Sequence, residues 1–124
     1  MKSPAFRPLK TVLLVDEKEA TRATVKWFLG SFGFTVDAVC TAEEALVRFD
    51  HKLHDAVITE NAMSGMSGSE MAHIIKLRSN TTPVIMFTDV PPTDHSCIDC
   101  LIQRPAHLLT LKEGLDRLLT ARIN

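Results

Sequence analysis

A chain of 124 residues, 45% hydrophobic and 23% charged, has the length and balance of one globular domain with a single core. Its formal net charge of -1 excludes an overall basic field that recruits nucleic acid. No apolar run reaches the roughly 18 residues a membrane helix needs. The opening MKSPAFRPLK has basic residues without an apolar stretch behind them, so residues 1–9 read as a disordered arm and not as a signal peptide. Cys40, Cys97 and Cys100, an odd number, point to reduced thiols in the cytoplasm.

From there strand and helix alternate. TVLLV (11–15) is a β-branched and leucine run of the kind buried on both faces of a sheet. In EATRATVKWFLGSFG, Val25, Phe28, Leu29 and Phe32 stand at i, i+3, i+4 and i+7 on one helical face, and Gly33 is placed to cap the helix. Trp27 is expected to pack at the boundary of that face. FTVDAV (34–39) is a second strand. TAEEALVRF opens with Thr41 and Glu44 at capping-box spacing. DAVIT (55–59) is a third strand, and SGSEMAHIIKLR repeats the capping pattern with Ser67 and Glu70. PVIMFT (83–88) is a fourth strand, with Pro83 at its start, where a missing donor costs least. CLIQ (100–103) is a fifth, and LLTLKEGLDRLLTARI (108–123) closes the chain with a leucine stripe.

This alternation predicts an α/β fold, a parallel sheet with helices on both faces. Its last connection breaks the rhythm. Between Thr88 and Cys100, Pro91 and Pro92 forbid a helix through the middle. A helix of ordinary length, about 11 residues, does not fit, so a loop or a single turn is expected.

In an open parallel sheet, ligands bind beyond the C-terminal ends of the strands, where the strand order reverses. Here those ends carry Asp16 and Glu17, Glu60, Thr88, and Arg104 before Pro105. Carboxylates gathered in one crevice raise one another's pKa unless a cation or a shared proton intervenes. Hard oxygen ligands of this kind suit Mg²⁺, the one cofactor these residues suggest, for which Asp16 and Glu17 are the candidate ligands.

At these residues the chain resembles the receiver domain of two-component response regulators, in a degenerate, pseudo-receiver form. VLLVDE is similar to the family's first strand with its acidic pair. DAVITENAMSGMSG is similar to D-x-V-x-x-D-x-x-M-P-x-M-x-G, PVIMFTD to P-V-I-x-L-T-A, and LIQRP to Y-L-x-K-P. The resemblance implies a flavodoxin-like, doubly wound five-stranded parallel sheet of order 2-1-3-4-5 over residues 10–122. The helix between its fourth and fifth strands would be shortened or missing. Thr88 stands at the switch hydroxyl. Several positions depart from the pattern. Glu60 replaces the phospho-accepting aspartate, Arg104 the lysine, Leu101 the switch aromatic, Ser64 a proline, and Asp89 a small residue. Asp16, Glu17, Met63, Gly68, Thr88 and Pro105 match it.

The departures carry physical consequences. Phosphoryl transfer to a carboxylate is controlled by placement. Glu60 sets its oxygens about 1.5 Å further out than aspartate would, and a misplacement near 1 Å costs about a hundredfold. The same reach puts roughly one negative charge where a phosphate brings -1.5 to -2. Arg104 is able to meet it with a two-pronged bond. The expected function is therefore a signalling module, not an enzyme, that is not phosphorylated at the usual position. It would bind a protein partner (a histidine kinase or a downstream regulator) and neither nucleic acid nor membrane; a homodimer stays open. One alternative is a working, Mg²⁺-dependent phosphoacceptor receiver. Another, of a different class, is a thiol redox or small-ligand protein on a flavodoxin-like scaffold, resting on Cys97 and Cys100. That C-x-x-C precedes the fifth strand instead of opening a helix after the first, and no second pair completes a zinc spacing. His51, His54, His73, His95 and His107 read as structural or solvated, with His51 and His54 on a solvated loop. Asn61 faces the crevice mouth, and Met63 and Met66 anchor the loop.

Overall fold

Side chains on a strand alternate between its two faces, and here both faces are covered. The computed structural model describes residues 10–123, and the expected arm at residues 1–9 lies outside them. The strands are β1 (Thr11–Val15), β2 (Thr35–Val39), β3 (Ala56–Thr59), β4 (Val84–Thr88) and β5 (Cys100–Gln103). The helices are α1 (Glu19–Gly30), α2 (Ala42–Arg48), α3 (Gly68–Arg78) and α4 (Leu108–Ile123). All pairings are parallel, in the order β2-β1-β3-β4-β5.

Val12, Leu14, Ala56, Ile58, Ile85, Phe87 and Ile102 face one layer, where they meet Val25 and Leu29 of α1 and Leu111 and Leu115 of α4. Leu13, Val15, Val57 and Val84 face the other, against Ala42 and Ala45 of α2 and Met71, Ala72 and Ile75 of α3. Each residue type is on the face its position dictates, which is why the sheet has one register and not two.

Among the described residues, 89–99 contains no helix. The loop does the covering itself. Its Cys97 and Ile98 pack into the layer of α2 and α3. Asp99 ties it down, its Oδ2 accepting from the Val84 backbone N–H (2.7 Å) and from Lys76 Nζ (2.6 Å).

Four local expectations change. Trp27 is not a boundary residue but 73% exposed. Two positions from Val25 on a helix is about 200° around the axis, so it points away from the sheet. α1 ends at Gly30, its C-cap is Ser31, and Gly33 makes the reversal beyond it at φ 94°. Phe32 is therefore past the helix, half out of the core, edge-on to Phe28 at 5.1 Å. At Thr41 only half of the capping box forms. The Thr41 hydroxyl accepts from the Glu44 N–H (3.0 Å), but Glu44 accepts from the Cys40 N–H (3.3 Å). The box at Ser67 and Glu70 is complete.

His54 is fully buried instead of solvated. Its Nδ1 accepts from the Asp50 N–H (3.1 Å), so Nε2 carries the proton and donates to Asp37 Oδ2 (3.0 Å). Burial pushes the Asp37 carboxyl up, but the bonds from His54 and Arg48 outweigh it and hold it below its usual value. The buried ring needs both partners, and they come from β2 and from the turn before β3.

Candidate functional site

The parallel ladders run one residue past the strand ends. The Asp16 N–H donates to the Val39 carbonyl (3.2 Å), Glu60 to Val15 (3.0 Å) and Arg104 to Thr88 (2.8 Å). This brings Asp16, Glu60, Thr88 and Arg104 into one crevice at the C-terminal edge of the sheet. Three of them are buried: Asp16 is 3% exposed, Glu60 6% and Thr88 0%.

Glu60 does not point to solvent. Its Oε1 accepts from the Asn61 backbone N–H (2.7 Å) and from the Thr88 hydroxyl, and its Oε2 accepts from Arg104 Nη2. Arg104 turns Nη1 toward Asp16 Oδ2 at 3.6 Å and Nε toward Asp89 Oδ1 at 3.5 Å. Nε is buried and has no hydrogen-bond partner. The guanidinium carbon lies 5.1 Å from the centroid of Phe87, whose face favours a cation. The two-pronged bond to Glu60 expected from the sequence is thus a divided one. Thr88 and the Asn61 N–H already hold the other Glu60 oxygen, so the second prong goes to Asp16.

Burial pushes the Asp16 carboxyl above its usual value, and Glu60 adds to this, against the Lys18 N–H bond and the Arg104 charge. The Lys18 N–H donates to Asp16 Oδ1 at 2.9 Å. Glu17 is exposed and stands apart from the pair, its Oε2 accepting from the Ser64 N–H (3.1 Å) on the loop after Glu60. Leu101 pairs in register with Met86 and is half-buried.

That loop is fixed from three sides. Asn61 Nδ2 donates to the Val90 carbonyl (3.0 Å), and its Oδ1 accepts from the Ser69 N–H (3.1 Å), which joins the site to both the 89–99 loop and α3. Met63 and Met66 pack into the layer of α2 and α3. The Gly68 N–H donates to the Asn61 carbonyl (2.9 Å), and a Cβ at Gly68 would stand 2.1 Å from the Glu60 carbonyl oxygen. Only glycine lets α3 begin this close to the site.

Sequence reasoning missed Phe87 beneath Arg104 and the bridging role of Asn61. The parity of β4 signals the first, since Phe87 shares a face with Ile85. Nothing local signals the second. The C-x-x-C thiols do not meet, because Cys97 packs with the layer of α2 and α3 and Cys100 with the layer of α1 and α4. All three cysteines are free.

A five-stranded parallel sheet of this order, with acids, a hydroxyl and a cation at these strand ends, defines a receiver-type signalling domain. The family model for the response regulator receiver domain matches residues 12–123. The phosphate regulon transcriptional regulatory protein PhoB of Rhizobium meliloti (strain 1021) is 30% identical over 82 residues, 64% of this chain and 36% of that protein. The two-component response regulator PhoP of Pseudomonas aeruginosa is 31% identical over 77 residues, 62% of this chain and 34% of that protein. The chain spans about a third of the length of these curated relatives. The response regulator TrrA from Thermotoga maritima, solved in complex with Mg²⁺–BeF, superposes with a TM-score of 0.83 at 27% identity, covering 89% of this chain and 99% of that one. A CheY-like receiver domain from Methanospirillum hungatei shares the fold, with a TM-score of 0.86 at 22% identity over 92% and 96% of the two chains. The chain belongs to the response regulator receiver domains of two-component signalling.

As arranged, the carboxylates offer Mg²⁺ little purchase. Asp16 and Glu60 already have hydrogen-bond donors and share the Arg104 cation, while Glu17 holds Ser64. A metal that demands octahedral oxygen would have to displace the guanidinium. Among the described residues no three metal-ligating side chains converge, and no helix is long and apolar enough to cross a membrane.

Proposed function

We propose that this receiver domain signals without phosphorylation at the family's aspartate position. The Glu60 carboxylate stands in for a phosphoryl group and holds Thr88 and Arg104 in one arrangement. The observation that carries this reading is that one buried carboxylate is held by the Thr88 hydroxyl and Arg104 together. In this reading Glu60 is no nucleophile, because both of its oxygens are already engaged. Thr88 is the switch hydroxyl drawn inward, and Leu101 has no ring to report its movement. Residues 10–122 form the receiver-like domain. It works in the cytoplasm by presenting a fixed surface to a protein partner, a histidine kinase or a downstream regulator.

A second reading, a phosphoacceptor that still works with Mg²⁺, draws support from the Mg²⁺–BeF complex of TrrA and from Asp16 and Glu17 in this chain. One experiment separates the two: incubation with acetyl phosphate and Mg²⁺, followed by intact mass. The first reading expects no phosphoryl adduct on the wild type. It expects at most a weak one on Glu60→Asp, because Arg104 remains in the crevice. A stable adduct on the wild type overturns it.

A further inference from the structure

On the outer face of α3, away from the Glu60 crevice, three side chains line up. His73 Nε2 lies 3.0 Å from Asp94 Oδ2, and Cys97 Sγ lies 3.3 Å from His73 Nδ1. Asp94 accepts at Nε2, so in the neutral ring that nitrogen carries the proton and Nδ1 offers its lone pair to the thiol. This is the order of nucleophile, base and orienting carboxylate that activates a thiol. The Ser96 backbone N–H holds Asp94 Oδ1 at 2.9 Å. That bond, the Ser96 side chain and His73 keep the Asp94 carboxyl down at about 2, so it stays an anion. His73 and Asp94 are exposed and Cys97 is half-buried, so a small reagent has access.

We propose that Cys97 is a reactive thiol that undergoes exchange with low-molecular-weight disulfides, with His73 as its base and Asp94 as the positioning residue. As the sulfur attacks, its proton passes to His73 Nδ1. A new S–S bond forms between Cys97 and one half of the reagent, and the old S–S bond breaks. The other half leaves with the electron pair and takes the proton back from His73. Cys97 is oxidised and the departing half is reduced.

The adduct removes the contact of Cys97 with His73, one of the ties holding the 89–99 loop to α3. Asp89 and Val90 of that loop touch Arg104, Thr88 and Asn61, so the change reaches the edge of the crevice. The site is independent of what Glu60 does.

The test is the rate of adduct formation with glutathione disulfide on the native domain, read cysteine by cysteine by peptide mass. Cys40 is exposed and has no imidazole partner, which makes it the internal reference. Cys97 should react at least about tenfold faster than Cys40, an order below the roughly hundredfold a fully positioned base supplies. His73→Gln should bring it to the Cys40 rate, and Asp94→Asn should fall between. Should His73→Gln unfold the domain, revealed by loss of its cooperative thermal transition, Asp94→Asn decides in its place. Cys97 reacting no faster than Cys40, or unaffected by these substitutions, overturns the proposal.

Discussion

Arg104→Met is the most informative single change, because it removes the cation and leaves its partners in place. The Glu60 and Asp16 side chains are only 7% and 4% exposed, and Arg104 is 12% exposed. Solvent screening therefore takes little from the effect. Breaking a buried pair by removing one partner costs about 3–5 kcal/mol, a large share of the 5–15 kcal/mol that holds a typical domain together. For a chain of this size that is a fall in Tm of about 10–20 °C. The loss should also depend on pH. Asp16 already has its carboxyl raised by burial, and without Arg104 it rises further. A carboxyl raised in the folded state takes up its proton there first, so stability recovers as pH falls through the folded value toward about 4, the unfolded one. Urea unfolding of wild type and variant between neutral and mildly acidic pH measures both effects. A loss below about 1 kcal/mol that does not change with pH would refute the reasoning, since it would mean water screens the cluster.

Gly68→Ala should destabilise by at least about 2 kcal/mol, because its Cβ meets the Glu60 backbone oxygen and backbone cannot swing aside; chemical denaturation checks it. His54→Leu, which has no donor to replace the ring N–H, should flatten the acid limb of the stability curve. Asp37 is held below its usual value, so its contribution is complete above about 4, the unfolded value, and lost as pH falls through the folded one. Removing a main donor to Asp37 removes that part of the acid transition, which a pH titration of unfolding reads directly.

Much of the fold was legible because strand parity and helix spacing record which faces are covered. Leu13 and Val15 face one layer while Val12 and Leu14 face the other, and the run TVLLV already implies two covered faces. The two prolines at positions 91 and 92 were enough to remove the helix after β4. The meeting of Asp16, Glu60, Thr88 and Arg104 follows from four strand ends and one strand order. What stayed hidden depends on distances that no spacing encodes. His54 does lie on the turn before β3, but it looked solvated because its carboxylate partner, Asp37, is on β2, 17 positions away. Arg104 was expected to spend both prongs on Glu60, but the competing Asn61 N–H is a backbone group. His73 and Cys97 are 24 positions apart and meet only because the loop folds back along α3.

The claim that Glu60 already occupies the role of a phosphoryl group is tested most directly by titrating the domain with beryllofluoride and Mg²⁺ while following backbone amide signals. The amides of residues 88–90, which surround the Thr88 hydroxyl, should stay where they are, because Glu60 and Arg104 fill the place the anion would take. Saturable shifts of those amides at millimolar reagent, of the kind a vacant phosphoryl site produces, would contradict it.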